Sequence, residues 1–372
     1  MKVPVCEPFL DNLEEEYVLD AIKKGELSGN FGKYITSFEE DFSRYSDCKF
    51  GVTTNSGTTA LHLAVASLGI NEGDEVLVST YTNMATFFSV IYQNARPIPI
   101  DIDADTFNID PQKIQEKITS KTKAIIVVHL FGHPADMDPI IKIAKDNNLV
   151  IIEDCAEAHG AQYKGKKVGS LGEIGCFSFY ANKIITTGEG GMLTINNPKI
   201  AEKARSLRSL SFGIENKFKH QDIGFSYRMT NMQAALGCAQ MQKIDEIIKR
   251  KREIASYYNE KLQDLQGIRL PQEKDYAKSV NWMYHIVLEE NHRMSRDLLM
   301  SKLAEKNIET RKTFVPFTQQ DIFKRKGWVK GHECPIGDYY SDKGLYLPTG
   351  ATLTSEMLDY VVQCLYNIQI LS

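Results

Sequence analysis

Several features are missing from this chain, and each absence narrows what it can do. Its 372 residues contain no apolar run of about 18, the length that a membrane-crossing helix needs. The first segment, MKVPVCEPFLDNLEEEY, has no apolar core of the signal-peptide kind. The seven cysteines are scattered and odd in number, and none forms a CxxC pair. They read as reduced thiols of a cytoplasmic protein, not as a disulfide frame or a zinc site. Charge of one sign is also missing: 44 basic against 48 acidic residues leave a net charge of −4. The densest basic run, KIDEIIKRKRE (243–253), is interleaved with acids at helical spacing. It reads as a solvated helix face, so neither a nucleic acid nor a membrane is expected as partner. No internal repeat and no low-complexity stretch is present.

What is present is an alternation. Strand-like segments at 50–55, 74–80, 96–103, 123–132, 149–156, 174–181 and 190–196 are separated by helix-like ones at 57–69, 83–95, 111–119 and 138–148. This predicts an α/β fold with a mostly parallel central sheet between helices. KAIIVVHLFG (123–132) is apolar throughout, as a strand covered on both faces should be. The prolines of RPIPIDID (96–103) place that strand at a sheet edge. From about 199 the pattern turns helical, and 230–267 reads as one long helix leading to a second domain. A strand at 282–289 and helices at 295–307 and 354–368 give that domain an α+β character. The expected division is a large α/β domain over 1–245 and a small one over 246–372.

Sites in such sheets lie where parallel strands end. Ser56, Gly57 and Thr58 fall between a strand and a helix, where unpaired N–H groups suit a phosphate or where Ser56 is simply an N-cap. No GK[ST] follows, so this is not a Walker loop. Glu153 and Asp154 end a buried strand; alternation sends one inward, and an inward carboxylate needs a cationic partner such as a protonated pyridine nitrogen. Lys183 lies 29 residues beyond Asp154, at the end of the next predicted strand and before glycines at 188, 190 and 191. A lysine held in a low-dielectric pocket keeps a share of neutral amine able to attack a carbonyl. Tyr81 is placed to stack on a flat ring. A phosphate cup, an aromatic plate, a carboxylate and an imine-forming lysine together match pyridoxal 5′-phosphate.

The segments LSGNFGKYITSFEEDFS (27–43), NSGTTALHLA, IIEDCAEAHGAQYKGKKVGSLGEIGCFSFYANKIITTGEGGML, GFSYRMTNMQAALG and IETRKTFVP resemble the sugar aminotransferases of the DegT/DnrJ/EryC1/StrS type, within the fold type I pyridoxal-phosphate enzymes. The likeness runs nearly end to end, and is strongest to the GDP-perosamine synthase branch, which acts on 4-keto-6-deoxy sugar nucleotides. It implies that Lys183 carries the cofactor covalently and then moves protons, and that Asp154 holds the ring nitrogen. Ala156 and Tyr81 would cover the two ring faces. Ser56, Gly57, Thr58 and Ser178 would bind the phosphate, with His159 also at the cofactor. Asn231 would reach the cofactor of a neighbouring subunit, implying a homodimer with shared sites. Ser28, Glu189 and Arg311 would lie near the substrate. L-Glutamate would be the donor in a ping-pong cycle through pyridoxamine phosphate. A related dehydratase branch has histidine in place of this lysine, so Lys183 favours transamination. Thr318 stands where the family often has histidine, and TNMATFFSV (82–90) is unusual. Both leave the acceptor open between a sugar nucleotide and a small phosphorylated ketone of surface-polysaccharide precursor synthesis. A non-catalytic regulatory homologue is the remaining alternative.

Overall fold

The computed structural model describes residues 1–29, 32–213, 215–331 and 333–370. Asn30 and Phe31, inside the first family-like segment, lie outside the described residues. Among these residues seven strands form the large sheet. They are β1 (Phe50–Thr54), β2 (Glu75–Ser79), β3 (Arg96–Ile100), β4 (Thr122–Val128), β5 (Val150–Asp154), β6 (Ile174–Ser178) and β7 (Gly191–Ile195). Their order is β1-β7-β6-β5-β4-β2-β3. The pairs from β6 to β3 are parallel, and β7 runs antiparallel to both β6 and β1. The mostly parallel sheet is therefore as expected, and the proline-bearing β3 is its edge.

Period-two alternation divides the apolar strands between two cores. Val76, Val78, Ala124, Ile126 and Ile152 pack with Leu61, Val65 and Phe87 on one face. Leu77, Ile125, Val127 and Ile151 pack with Met137 and Ile140 on the other. Both faces are covered, so no strand needs a polar side.

The span 230–267 is not one helix. It is two, Asn231–Met241 and Ile244–Leu262. At the break Lys243 adopts φ −123° and ψ 13°. Its ammonium reaches Glu14 at 2.7 Å and Asp11 at 2.8 Å, on and just before the helix Asn12–Lys23. Both Lys243 and Glu14 are buried. A tertiary ion pair thus overrides a continuous helical pattern, because a buried ammonium must find its carboxylate.

The second sheet has four antiparallel strands, Ile268–Arg269, Tyr284–Leu288, Gly344–Leu347 and Arg311–Lys312. Val3 bridges to Ile308 beside it, and the Thr349 N–H donates to the Val5 carbonyl at 2.8 Å. The N-terminal residues therefore pack with this sheet, while the helix that follows them packs on Asn231–Met241.

Candidate active site

The carboxyl ends of β1, β5 and β6 and the following loops enclose a cavity of about 390 Å³. Its wall is completed by Trp282, Arg311, Lys312, Phe314 and Tyr346 from the second sheet and its loops. Ser56, Gly57, Thr58, Asp154, Ala156, Ser178, Lys183, Glu189 and Arg311 all line it, although β1 and β6 bring them from distant parts of the sequence.

At one end begins the helix Gly57–Ser67. Ser56 caps it: its Oγ accepts from the Thr59 N–H at 3.2 Å, and Thr59 Oγ1 accepts from the Ser56 N–H at 3.1 Å. The N–H groups of Gly57 and Thr58 are left without a partner among the described residues, the usual state of a first helical turn. A Cβ at residue 57 would stand 2.6 Å from Ser178 Cβ, so only glycine lets the helix start approach β6 this closely. Two backbone donors, the Thr58 hydroxyl and the Ser178 hydroxyl thus face one space, a donor set that fits a phosphate.

The acidic pair divides as alternation requires. Asp154 faces the cavity; its Oδ2 accepts from Thr86 Oγ1 at 2.8 Å and its Oδ1 from the Ala156 N–H at 3.2 Å. Burial pushes its pKa above the usual carboxylate value, against those two bonds and the Lys183 charge. Glu153 points away and accepts four bonds, from the Gly169, Leu171 and Gly172 N–H groups and from His129 Nε2. His129 Nδ1 accepts from the Ala135 N–H, so the ring proton sits on Nε2, facing Glu153 and not the cavity.

Lys183 is on a turn five residues past β6, not at the strand end, since β6 stops at Ser178. Its N–H donates to the Tyr180 carbonyl at 2.9 Å. Its Nζ lies 4.1 Å from the Trp282 ring centre and 4.0 Å from Glu157 Oε1, with the side chain 12% exposed. Burial lowers its pKa, opposed by Glu157 and Asp154. Glu157 is pushed up to about 7 by burial, with Lys183 pulling the other way. Burial thus moves the amine down and the carboxyl up, drawing the two groups' pKa values together.

Four of the expected residues do not line this chain's cavity. Tyr81 is fully buried in the core; its hydroxyl donates to Thr313 Oγ1 at 2.6 Å and it does not line the cavity. Its strand-end position was right, but the chain turns its ring toward Phe107 and Phe314. His159 lies one layer back, its Nε2 donating to the Ser178 carbonyl at 2.8 Å among Phe42, Phe177 and Phe179; burial lowers its pKa to about 3. Asn231, expected to reach a neighbouring subunit's cofactor, accepts from the Tyr34 and Ile35 N–H groups and donates to the Glu26 carbonyl within its own chain. Ser28 is exposed and outside the cavity wall. Thr318, too, is buried against Asp338 and away from the cavity.

Thr86, Glu157, Asn182, Trp282 and Tyr346 were not foreseen. Glu157 stands three residues past Asp154 in EDCAEAHG, a second acid that could have drawn notice. Trp282 and Tyr346 come from the far third of the chain and carry no local signal. A larger hollow of about 750 Å³ lies beyond Phe131, but charged groups in its wall neutralise each other, as Arg252 does with Glu273 at 2.9 Å.

Known proteins resemble this one over the same length. The profile of the DegT/DnrJ/EryC1/StrS aminotransferase family matches residues 8–366. A GDP-perosamine synthase of Caulobacter vibrioides is 40% identical over 368 residues, covering 99% of this chain and 98% of its own. That of Escherichia coli O157:H7 is 39% identical over 361 residues, 97% of each. Among solved structures, S. venezuelae DesV in complex with a ketimine intermediate superposes with a TM-score of 0.91 at 30% identity, covering 98% of this chain and 99% of its own.

Proposed function

Because the chain belongs to the DegT/DnrJ/EryC1/StrS aminotransferase family, we propose that it moves the amino group of L-glutamate onto the keto group of a nucleotide-linked 4-keto-6-deoxy sugar, with pyridoxal 5′-phosphate as cofactor. The observation that carries this reading is Lys183, a buried amine sharing one cavity with Asp154 and an open helix N-terminus.

The residues present fit the cofactor. The Gly57 and Thr58 N–H groups and the Ser178 hydroxyl would hold its phosphate. Asp154 would pair with the ring nitrogen and keep it protonated, which gives this buried carboxyl the cation it otherwise lacks. Ala156 would pack on the ring, and Lys183 would hold the group covalently. When bound, the cofactor supplies an electron sink that lets a C–H bond next to nitrogen ionise. The Lys183 amine would take that proton and return it to the carbon on the other side of the nitrogen. Burial lowers the pKa of this amine, which favours its uncharged form as a base. Glu157, 4.0 Å away, balances the charge when the amine is protonated.

Glutamate would leave as 2-oxoglutarate before the keto sugar enters. A homodimer belongs to the same proposal: Leu19, Ile22 and Leu27 near the N-terminus and Phe218 and Ile223 of a surface loop are exposed apolar side chains that a second copy would cover. Light scattering tests the dimer. For the reaction, the protein is incubated with glutamate and GDP-4-keto-6-deoxymannose, and the aminated nucleotide sugar is detected by mass spectrometry. Product formation lost by about a thousandfold or more in Lys183→Ala supports the reading. If only a small keto-phosphate is aminated, the acceptor is wrong; if glutamate yields no 2-oxoglutarate, the enzyme itself is.

A further inference from the structure

Two buried polar atoms in the cavity wall have no partner among the described residues: the Tyr346 hydroxyl and Asn182 Oδ1. We propose that Tyr346 and Asn182 read a hydroxyl group of the acceptor sugar beside the carbon that receives the amine, and so set specificity; this rests on the function proposed above.

Neither side chain is free to turn away. Tyr346 is 5% exposed, on an inner strand of the second sheet, opposite His285 on one side and Arg311 on the other. Its ring packs against Phe131 at 5.4 Å and Trp282 at 6.0 Å between centres. The backbone of Asn182 is fixed, its main-chain carbonyl accepting from Trp282 Nε1 at 2.8 Å, and its side-chain Oδ1 is buried directly before Lys183. Trp282 thus ties both groups to the reacting amine. Away from the helix start, the cavity's acids and Ser178 have partners: Asp154 has Thr86 and Ala156, Ser178 has the Tyr180 N–H, and Glu157 has the Phe131 N–H.

A buried donor or acceptor left unmade is costly, and folded proteins keep few. A ligand is the natural partner of two such atoms in one active-site wall. Their chemistry selects it. The amide oxygen only accepts, and the phenol can donate. One alcohol satisfies both, donating to Asn182 Oδ1 and accepting from the Tyr346 O–H. A carboxylate only accepts, so glutamate would leave Asn182 Oδ1 unpaired. The pair therefore suits the hydroxylated acceptor rather than the donor. Sites built to bond a substrate hydroxyl reject analogues that lack it far more strongly than apolar pockets reject a missing methylene.

The test is Tyr346→Phe, which removes the phenol oxygen and keeps the ring packing. The cofactor-free protein is titrated calorimetrically with GDP-perosamine and with GDP. The holoenzyme is assayed with GDP-4-keto-6-deoxymannose and with its 3-deoxy counterpart. The variant is expected to bind GDP-perosamine about tenfold more weakly and GDP within twofold of wild type. Its kcat/KM for the hydroxylated acceptor should fall about tenfold or more, with the glutamate half-reaction within twofold and the 3-deoxy acceptor indifferent to the substitution. Equal weakening toward GDP and GDP-perosamine, or an equal loss with the 3-deoxy acceptor, would show a packing role and overturn the assignment. Wild-type amination that Tyr346→Phe leaves unchanged sinks the assignment alone. If the wild type aminates no nucleotide keto sugar, the proposed function fails and takes this assignment with it.

Discussion

Glu157 and Lys183, 4.0 Å apart in a buried wall, govern each other's charge. The Glu157 carboxyl titrates at about 7 in the folded protein, against 4.5 for an unfolded one. Between those values the folded state holds a proton that the unfolded state has lost. The stability this group contributes is therefore full below pH 4.5 and is lost as pH rises toward 7. Glu157→Gln cannot ionise and escapes that loss. From pH 5 to pH 8 the cofactor-free wild type should lose about 2–3 kcal/mol of unfolding free energy relative to the variant, measured by urea denaturation. A constant difference across that range would show that Glu157 is ionised throughout. At this same scale the sequence was only partly legible. That Asp154 and Lys183 would meet in one cavity could be read, because each follows a parallel strand toward the same end of the sheet. The partners that Tyr81 and Asn231 take within the chain could not be read, since side-chain direction alone decides what each touches.

The helix Gly57–Ser67 depends on a close approach, not on propensity. Alanine is favoured over glycine within helices by about 1 kcal/mol. Here the added Cβ would meet Ser178 Cβ at 2.6 Å, and the collision wins. Gly57→Ala should drive the helix start away from β6 and weaken pyridoxal phosphate binding about tenfold or more in an absorbance titration. Unchanged affinity would mean that this end of the cavity does not hold the phosphate. A second element-level effect is the break at Lys243. Lys243→Met leaves Glu14 buried without its cation, and should cost about 3 kcal/mol in denaturant unfolding. The break was invisible in sequence because 230–267 keeps helical spacing throughout; the partner that causes it lies over 200 residues away.

Across the whole molecule, the segment after Arg311–Lys312 straps the second sheet onto the first. The Phe317 N–H donates to the Thr80 carbonyl at 2.9 Å, and Phe317 and Phe323 bury their rings against Phe87. The Ile336 and Gly337 N–H groups donate to the Asp101 carboxylate at 3.0 and 2.9 Å. Phe314, on the same strap, reaches the cavity wall. Asp101→Ala would orphan three backbone donors, counting Ile102, and should cost about 3 kcal/mol. Hydrogen exchange at 334–340 should quicken about a hundredfold, with a raised KM for the acceptor. Exchange at wild-type rates would show that the aromatic contacts alone hold the strap.

By itself the sequence determined the layered α/β architecture, the edge position of β3, and the placing of Asp154 at the end of a buried strand, of Ser56 before a helix and of Lys183 in the turn region that follows a strand. Those follow from periodicity and from spacing within one βα unit, both local quantities. Only the tertiary structure decided which aromatic meets the lysine, that Glu157 shares its wall, and that Tyr346 and Asn182 bring buried, unpartnered atoms into that wall among the described residues. The reason is that one wall of the cavity, with Trp282, Arg311, Lys312, Phe314 and Tyr346, is built from the second sheet and its loops. Contacts between segments a hundred residues apart are set by packing, which no window along the chain can contain.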